Sequence, residues 1–469
     1  MKSHLLTHAL LALSFCSATA VTAHGQTLRI VTYNIDADTG GAVGDMGGPD
    51  AGPGLTAVLQ AIGQEHLGVT PSNPVGHAQP IDVLALEELN YTTSGGSETI
   101  SQTLSYITGQ LNSIYGAGTY NYDTTIDPSD GNSTGNGPSG LIYNTKTVAE
   151  VAPADIIPNH LGGSGEARAP IRYELQPKGG AAYTDFYLYV SHAKASSGSS
   201  NATRRNIEAQ DIRSDASNLP TNAHIIYTGD YNLTGGSSEA AYQTMINSTP
   251  SPGQAIDTAN PGNNFVENSQ SANSVYWPLL SESATDLTAR FDLQLVTSPT
   301  VTLPGTQLVA NTLTPFGNNG SVGYGGAVTD SSNTALPDLS NRSTILNDLT
   351  TDTDHLPVVA DYVVVPPGDM NRDQQVNASD VSAMIAALAN LPAYELAYNL
   401  TAAQVTAIGD VNGDGKFNSA DVQALEKFLA ANHGTGIPAP EPASIVLLVL
   451  TTPAFAWFPR RRRRASQRS

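Results

Sequence analysis

Oxygen- and nitrogen-bearing side chains follow several apolar runs of this sequence, at the points where a β-strand would end. The run His224-Ile-Ile-Tyr227 leads into Thr228-Gly-Asp-Tyr-Asn-Leu233, which places a carboxylate and an amide two residues apart. Gly, Asp and Asn are also the usual turn residues, so this segment taken alone could be an ordinary turn. Asn34, Glu88 and His192 likewise end other apolar runs, whereas Asp292 opens a later run and Asp354 and His355 precede the last one.

Taken as a set, these side chains have the composition of a hard-cation site. They offer carboxylates, amides and histidines without any cysteine. Such donors suit Mg²⁺, Mn²⁺ or Ca²⁺ better than a structural zinc site. A divalent ion beside a carboxylate base and a histidine is a natural arrangement for cleaving a phosphoester, because the ion neutralises phosphate charge and the base aligns water. Each residue alone also has a structural interpretation, as a turn residue, a helix cap or a buried histidine.

Strand-like and helix-like segments alternate between residues 27 and 365 and must position these side chains. The strand-like runs include 28–33, 81–86, 139–143, 186–190, 224–227, 291–296 and 357–363, and helix-like stretches cover 55–65, 100–114 and 202–217. This mixture predicts a layered α/β or α+β domain. Residues 299–345 are rich in Gly, Asn and Thr with little periodicity, which predicts a long surface insertion.

The order of the motifs resembles that of the endonuclease/exonuclease/phosphatase superfamily. The matching segments are TYNI (32–35), DVLALEEL (82–89), GLIY (140–143), YVSHAKA (189–195), TGDYN (228–232), ARFDLQLV (289–296) and TDHLPVVADY (353–362). The resemblance implies an α+β fold, a two-layer β-sandwich flanked by helices (α/β/β/α), with the site in loops at one rim. It also implies a metal-dependent phosphoric ester hydrolase.

The resemblance assigns metal-side roles to four residues of this chain. Glu88 matches the principal ligand of the catalytic divalent ion, Mg²⁺ or Mn²⁺ or else Ca²⁺, and Asn34 lies close to the same ion. Asp230 matches the carboxylate that activates or orients the attacking water. Asn232 matches the amide that holds this carboxylate and a phosphate oxygen. TGDYN therefore looks like the GDxN motif of the superfamily, which is the functional alternative to a turn.

A second group of residues carries the phosphate-side roles implied by the resemblance. His355 matches the histidine that contacts the scissile phosphate, and Asp354 is its neighbour in the motif. His192 matches the second histidine of the deoxyribonuclease and sphingomyelinase branches, and Asp292 matches a carboxylate that orients a histidine. Glu87 departs from the family pattern, which usually has Gln there, and adds a carboxyl group beside the metal.

Three arginines are candidate substrate-binding residues. Arg204 and Arg205 open the helix-like stretch that follows the His192 motif, and Arg168 lies in Ala167-Arg-Ala-Pro170. Each could reach a phosphate group, although arginines on a helix surface are more often solvated.

A short segment between about residues 368 and 433 contains an internal repeat with calcium-loop spacing. Asp369-Met-Asn-Arg-Asp373 recurs 41 residues later as Asp410-Val-Asn-Gly-Asp414. Oxygen ligands at loop positions 1, 3, 5, 7, 9 and 12 are the EF-hand pattern, in which position 7 contributes its main-chain carbonyl. The predicted Ca²⁺ ligands are Asp369, Asn371, Asp373, Gln375, Asn377 and Asp380 in loop 1, and Asp410, Asn412, Asp414, Lys416, Asn418 and Asp421 in loop 2.

This repeat resembles a type I dockerin domain, a small α-helical domain with two calcium ions. An apolar-striped helix follows each loop, and position 12 is Asp rather than Glu. Loop 2 has Gly415 at position 6, where the sharp turn needs it, whereas loop 1 has Gln374. The resemblance implies a cohesin-like protein partner, and the alternative is a calcium-stiffened stalk.

The two ends of the chain are predicted to be processing signals. Residues 1–25 read as a secretory leader, with an apolar stretch from Leu5 to Phe15 and a small-residue cleavage pattern. Residues 438–469 resemble a PEP-CTERM sorting tail, with Pro-Glu-Pro, a short apolar membrane segment and the basic run Arg460 to Arg464. We therefore expect export to the cell surface or beyond, a transient membrane anchor, and an envelope sorting protease as a partner.

The net negative charge of the chain is relevant to which substrates it can bind. Residues 26–458 carry 14 basic and 42 acidic side chains, a balance of −28. Such a surface argues weakly against tight, nonspecific duplex binding, which relies on Lys and Arg. A phosphodiesterase of nuclease type is the first prediction. The alternatives are a lipid or small-molecule phosphatase, a sphingomyelinase-like enzyme acting on phospholipid, and a non-catalytic surface binding protein on the same fold.

Overall fold

A computed structural model describes residues 26–37, 54–68, 78–89, 100–125, 138–157, 168–247, 252–260, 262 and 274–432. The predicted leader (1–25) and the predicted sorting tail (438–469) lie outside the described residues. None of the helices in the described ranges is long and apolar enough to cross a membrane.

Fourteen β-strands of the described residues form two sheets. They are β1 (Thr27–Asn34), β2 (Val83–Glu87), β3 (Tyr120–Tyr122), β4 (Gly140–Asn144), β5 (Val148–Glu150), β6 (Asp155–Ile156), β7 (Ile171–Pro177), β8 (Phe186–His192), β9 (His224–Asp230), β10 (Ala255–Ile256), β11 (Asp292–Thr297), β12 (Gly305–Leu308), β13 (Thr314–Pro315) and β14 (Val358–Val365). The first sheet has the order β12-β14-β1-β2-β4-β3, with β13 beside β14. The second has the order β10-β11-β9-β8-β7-β5, with β6 beside β7.

Ten α-helices lie in the described parts of the chain and accompany the sheets. They are α1 (Leu55–Gln64), α2 (Ile100–Tyr115), α3 (Ser199–Ala216), α4 (Ala240–Asn247), α5 (Pro299–Thr302), α6 (Arg342–Thr351), α7 (Ala378–Ala389), α8 (Leu391–Tyr398), α9 (Ala402–Gly409) and α10 (Ser419–Asn432).

The alternation of side chains along the strands explains the layering. Ile30 of β1 belongs to the core between the two sheets, whereas the next residue, Val31, faces the opposite side and joins the core under α1, α2 and α6. Successive strand residues point to opposite faces, so a strand that is apolar throughout must be covered on both faces. The outer face of the second sheet packs on α3 and α4, for example through Tyr227 and Met245. The predicted α/β/β/α sandwich is confirmed.

The predicted surface insertion at residues 299–345 is wrong. Two strands of this segment, β12 and β13, pair with β14 of the first sheet. Phe316 and Val328 are buried in the core beneath the outer helices of that sheet. The segment has few periodic apolar residues because it crosses the core as short pieces joined by turns, so its burial is not visible as a pattern.

The helical segment after residue 367 has its own core. Met370, Met384, Ile408 and Leu425 are buried together, from α7, α9, α10 and the loops between them. The sequence predicts one helix after each loop, and the structure adds α8 and α9, which occupy the long spacing between the two loops. Loop 2 therefore lies between two helices.

Candidate functional site

Strand direction brings the predicted site residues to one rim of the sandwich. The strands β1 and β2 run parallel, as do β8 and β9, so the carboxyl ends that carry Asn34, Glu88, His192 and Asp230 lie together. The antiparallel partner β11 begins at this rim, and its first residue, Asp292, pairs with Asp230.

Three side chains converge at the centre of this rim. Nε2 of His192 lies 3.3 Å from Oε1 of Glu88 and 3.5 Å from Oδ2 of Asp230. His192 and Asp230 are buried, whereas the Glu88 side chain is partly open to solvent. One ligand atom from each of the three lies within 4.8 Å of the others, close enough to share one ion.

The segment Thr228-Gly-Asp-Tyr-Asn232 holds its carboxylate by a local amide. The backbone N–H of Asn232 donates to Oδ1 of Asp230 (2.8 Å), and the Asn232 side-chain amide donates to Oδ2 (2.8 Å). Gly229 is required for close approach, since a Cβ there would lie 1.8 Å from the carbonyl oxygen of Ser191. The segment begins as the end of β9 and continues as a loop, in which Asn232 fixes both oxygens of the Asp230 carboxylate.

Asn34, the second predicted metal ligand, also contacts Asp230. Its amide nitrogen lies 3.3 Å from Oδ2 of Asp230, while its oxygen accepts the backbone N–H of Asp36 (3.1 Å). In this orientation Asn34 helps to hold the carboxylate, and a ligand role requires the amide to turn.

His355 is held by Asp292 on the other side of the rim. Its Nδ1 lies 2.9 Å from Oδ2 of Asp292, and the hydroxyl of Ser281 donates to the same oxygen (2.6 Å). Nε2 of His355 therefore faces the site, 3.9 Å from Oδ2 of Asp230 and 3.6 Å from Oδ1 of Asp354. Asp354 is exposed, so its carboxylate lies on the solvent side of the histidine.

The backbone is strained at two of these residues. Glu88 has a φ of 55° and Asn232 a φ of 48°, in the left-handed region that side-chain-bearing residues seldom occupy. Such strain concentrates at functional sites, where the surrounding structure holds it. Glu88 directly follows β2 and Asn232 lies two residues after the end of β9, where the chain leaves each strand at the rim.

Burial and charge raise the pKa of one group on each side of the site. Burial raises the pKa of Asp230 above its usual value. Burial alone would lower the pKa of His355, but the carboxylates of Asp292, Asp230 and Asp354 raise it well above its usual value. A basic carboxylate and a protonated imidazole at 3.9 Å are suited to proton acceptance and anion binding respectively.

Glu87 lies inside the sandwich, where its surroundings favour the protonated form over the charge that the sequence suggests. Its side chain is fully buried and accepts a hydrogen bond from Thr32 (2.9 Å). Burial, reinforced by Asp292 and Asp230, raises its pKa well above the usual value for a glutamate. The neutral carboxyl group is close in size and shape to the glutamine that the resembling family has at this position.

Arg205, predicted to bind substrate, is committed to the protein interior. Its guanidinium pairs with Glu239, donating from Nε (2.8 Å) and Nη2 (2.6 Å). The remaining N–H groups donate to the carbonyls of Lys194 and Ser196 and to the Thr234 hydroxyl. All five donors are thus occupied, and the guanidinium is buried. The interpretation as a substrate ligand is wrong for Arg205, because its carboxylate partner Glu239 lies 34 residues away and the sequence does not connect the two.

The other two arginines differ in their surroundings. Arg168 is buried, and its Nη1 donates to the backbone carbonyls of His192 (3.3 Å) and Ala193 (3.2 Å), which supports the loop after β8. Arg204 is half-buried on α3. A substrate contact by either remains a prediction.

Two residues that sequence reasoning missed complete this rim. Ser281 anchors Asp292, and Glu282 forms isolated backbone bridges to both Ala289 and His355. The Glu282 carboxyl lies within 4.8 Å of Asp354 and His355, and burial raises its pKa to about 8. Both precede the Asp292 motif by about ten residues, in a stretch without periodicity, so nothing in the sequence distinguishes them from loop residues.

The two calcium loops have matching backbone geometry. In loop 1, Asp369 accepts the N–H groups of Asp373 (3.1 Å) and Gln374 (3.0 Å). In loop 2, Asp410 accepts those of Asp414 (3.0 Å) and Gly415 (2.7 Å). The position-12 carboxylates of Asp380 and Asp421 likewise accept two N–H groups each; the donors are Asn371 and Asn377 in loop 1 and Asn412 and Asn418 in loop 2.

The donor set of loop 1 fits a cation. Asp369 and Asp380 are buried together, and burial followed by the Asp380 charge raises the pKa of Asp369 to about 6. Two buried carboxylates that repel each other are stabilised when a divalent ion lies between them. Loop 2 repeats the same side chains at the predicted ligand positions, except that Lys416 stands where loop 1 has Gln375, and the backbone carbonyl is the predicted ligand at that position.

Comparison with known proteins identifies the helical segment. Residues 367–430 match the family model of the dockerin type I domain, which confirms the resemblance drawn from the repeat. None of the curated proteins compared with this chain matches it.

Solved structures similar to this chain include members of the endonuclease/exonuclease/phosphatase family, as the motif order predicts. A family member from Bacteroides thetaiotaomicron has 13% identity and a TM-score of 0.40, covering 72% of this chain and 98% of its own. D. rerio TDP2 complexed with a single-strand DNA product has 13% identity and a TM-score of 0.39, covering 72% and 98%. The mannosyl-6-phosphatase of B. thetaiotaomicron has 15% identity and a TM-score of 0.40, covering 72% and 99%. These values assign no activity to the chain.

Proposed function

We propose that residues 27–365 form a metal-dependent phosphoesterase of the endonuclease/exonuclease/phosphatase type. The observation that carries the proposal is the convergence of Glu88, His192 and Asp230 beside the His355–Asp292 pair. The motif set that resembles the superfamily is the same set that meets at this rim.

The metal ion would be held by Glu88, with Asn34 and Asp230 beside it. Their oxygen donors suit Mg²⁺ or Mn²⁺, and Ca²⁺ is a further candidate. When bound, the ion supplies charge neutralisation for the phosphate and for the developing negative charge. A cation is needed at this rim, because the carboxyl groups of Glu88, Asp230 and Asp292 would otherwise repel a phosphate.

The protein's own groups divide the proton transfers between them. Asp230, held at both oxygens by Asn232, accepts the proton of the attacking water. His355, kept protonated by Asp292, donates to a phosphate oxygen and stabilises its charge. His192, between Glu88 and Asp230, would face the phosphate from the side of the metal ion.

A phosphodiester of nuclease type is the proposed substrate, because the site lies at an open rim with the exposed Asp354 at its margin. The balance of −28 over residues 26–458 favours a substrate that binds through the metal rather than through a basic surface. A phospholipid or small phosphate ester is the second candidate, since the same rim accepts a short substrate. A binding protein without catalysis would need none of these hydrogen-bonded pairs.

The dockerin type I segment is proposed to bind two calcium ions and a cohesin-like partner. The matching carboxylate geometry of both loops supports the calcium sites. We also propose export to the cell surface or beyond, on the predicted leader and sorting tail. The tail would anchor the chain in the membrane until an envelope protease processes it.

The proposal is tested with the full chain and its Asp230→Ala and His355→Ala variants. Release from plasmid DNA, RNA, bis-p-nitrophenyl phosphate and sphingomyelin is measured with Mg²⁺, Mn²⁺ or Ca²⁺ and with chelator. We expect metal-dependent cleavage by the wild type and none by either variant. The substrate that is cleaved fastest would indicate whether the enzyme is a nuclease, a sphingomyelinase-like enzyme or another phosphoesterase.

The matched control is His66→Ala. The ring of His66 also contacts a carboxylate, that of Asp338, but both side chains are exposed and neither belongs to the motifs. This variant should retain full activity. A folded wild-type chain that binds calcium and cleaves none of the four substrates would contradict the phosphodiesterase proposal.

A further inference from the structure

The two calcium loops lie in different surroundings. In loop 2, residues 412–416 are all exposed. In loop 1, the equivalent residues 371–375 are mostly half-buried, with Asp373 alone exposed. The loops have nearly the same backbone hydrogen bonds, so the difference comes from what covers loop 1.

Loop 1 keeps a strained backbone where loop 2 uses glycine. Arg372 and Gln374 have φ angles of 64° and 63°, and their counterparts are Gly413 (73°) and Gly415 (77°). A residue with a side chain is disfavoured in this region by about 1 kcal/mol or more. A strained residue persists where its side chain makes a compensating contact.

Gln374 makes that contact with the larger domain. Its Nε2 donates to the backbone carbonyl of Leu308 (2.9 Å), at the end of β12. The strand β12 is the edge strand of the first sheet and pairs only with β14 within the described sheet. An unpaired edge carbonyl is thereby satisfied by a side chain from the calcium loop.

An apolar contact accompanies this hydrogen bond. Leu303, which follows α5 and precedes β12, is buried in the same cluster as Met370 and Met384 of the dockerin segment. The linker is also fixed, since the N–H of Gly368 donates to the carbonyl of Ile408 (2.7 Å). Pro366-Pro367-Gly368 is therefore a packed junction rather than a loose tether.

We propose that loop 1 docks the dockerin segment onto the edge strand β12, so that calcium in loop 1 stabilises this edge of the catalytic domain. Loop 2 makes no part of this docking contact. The proposal rests on the calcium binding proposed above. The physical connection is short: the Asp369 carboxylate faces the ion position and accepts the N–H of Gln374, whose side chain holds Leu308. Loop 1 thus serves an internal contact, and the solvent-facing loop 2 is left for an outside partner.

Hydrogen exchange in the full chain tests this coupling. The readout is the peptide spanning residues 303–309, with Ca²⁺ and with chelator, while bound calcium is counted separately. We expect calcium to slow exchange of this peptide by about tenfold or more in the wild type, because exchange here requires local opening of the docked edge. Asp369→Asn should lose the effect, and Asp410→Asn, the matched change in loop 2, should keep it.

Gln374→Gly separates docking from calcium binding. It gives loop 1 the residue that loop 2 has, so it should still bind two calcium ions, yet exchange of residues 303–309 should no longer respond to calcium. A wild type that binds two ions without slower exchange at 303–309, or a Gln374→Gly chain that keeps the whole response, overturns the proposal. A chain that binds no calcium would contradict the calcium-binding proposal itself, which is a distinct result.

Discussion

The Nδ1 atom of His355 lies 2.9 Å from Oδ2 of Asp292, and this contact turns Nε2 of the same ring toward Asp230. One carboxylate therefore fixes both the orientation and the protonation of the histidine. The residues are 63 apart in the chain and meet because β11 starts at the same rim as the loop that precedes β14.

Asp292→Asn should lower kcat/KM for a phosphodiester by about 100-fold or more, since positioned acid–base groups contribute on this scale. Asp292 raises the pKa of His355, so its loss brings that pKa down. An activity that needs protonated His355 then declines at a lower pH, and the alkaline limb of the pH–rate profile moves to the acid side. Asp286→Asn, at an exposed aspartate six residues before Asp292, is the control. An unchanged alkaline limb would argue against His355 as the protonated group.

Glu88→Gln and Glu87→Gln form a neighbouring pair with opposite expected results. Glu88→Gln removes a charge from the proposed metal position and should weaken Mg²⁺ or Mn²⁺ activation by about 10-fold to 100-fold, the scale seen even for groups next to metal ligands. Glu87 is buried with a raised pKa, so glutamine replaces a neutral group and should leave activity and stability nearly unchanged. Activity titrated with metal, and reversed with chelator, measures both. Equal losses in the two variants would contradict the assignment.

Arg205→Met should destabilise the fold while Arg204→Met should not. The first change leaves the buried Glu239 carboxylate without its partner, which costs about 3–5 kcal/mol in comparable pairs. Arg204 is half-buried on the same helix, and its replacement should stay within about 0.5 kcal/mol. Urea unfolding followed by circular dichroism gives both values. A small effect at Arg205 would mean that the pair with Glu239 does not form in solution.

His224 should make the fold weaken as the pH falls. Burial lowers its pKa to about 4, against backbone hydrogen bonds at Pro304 and Thr306 that raise it. The unfolded chain binds this proton near pH 6.5 and the folded chain only near pH 4, so stability is full above pH 6.5 and is lost progressively down to pH 4. The loss is about 3 kcal/mol. Because other groups also titrate, the measured quantity is the difference between the wild type and His224→Gln.

For that comparison, unfolding free energies are measured at several pH values between 7 and 4. The wild type should lose stability relative to His224→Gln across this window. Parallel pH dependence of the two chains would show that His224 is not held neutral in the fold.

Much of the architecture was predictable from local pattern. The strand-like runs 28–33, 186–190 and 291–296 correspond to β1, β8 and β11 within two residues at each end, and the helix-like stretch 100–114 to α2. The order of polar residues at the strand ends predicted the candidate site, because parallel strands bring their carboxyl ends to one rim. Calcium-loop spacing likewise predicted the dockerin segment, since the ligands of each loop are local in sequence.

The burial, protonation and contacts of several side chains depend on residues far away in the chain, so only the tertiary structure decided them. The pKa of Glu87 is raised because the sandwich buries it, and Arg205 is occupied because Glu239 folds back over α3. Glu282 reaches His355 only through backbone pairing that no spacing reveals. Residues 299–345 fill part of the core in short, aperiodic pieces, and Gln374 finds its acceptor on β12, 66 residues earlier in the chain. Composition and periodicity report local preference, whereas burial, charge state and docking are set by side chains that meet only in the folded protein.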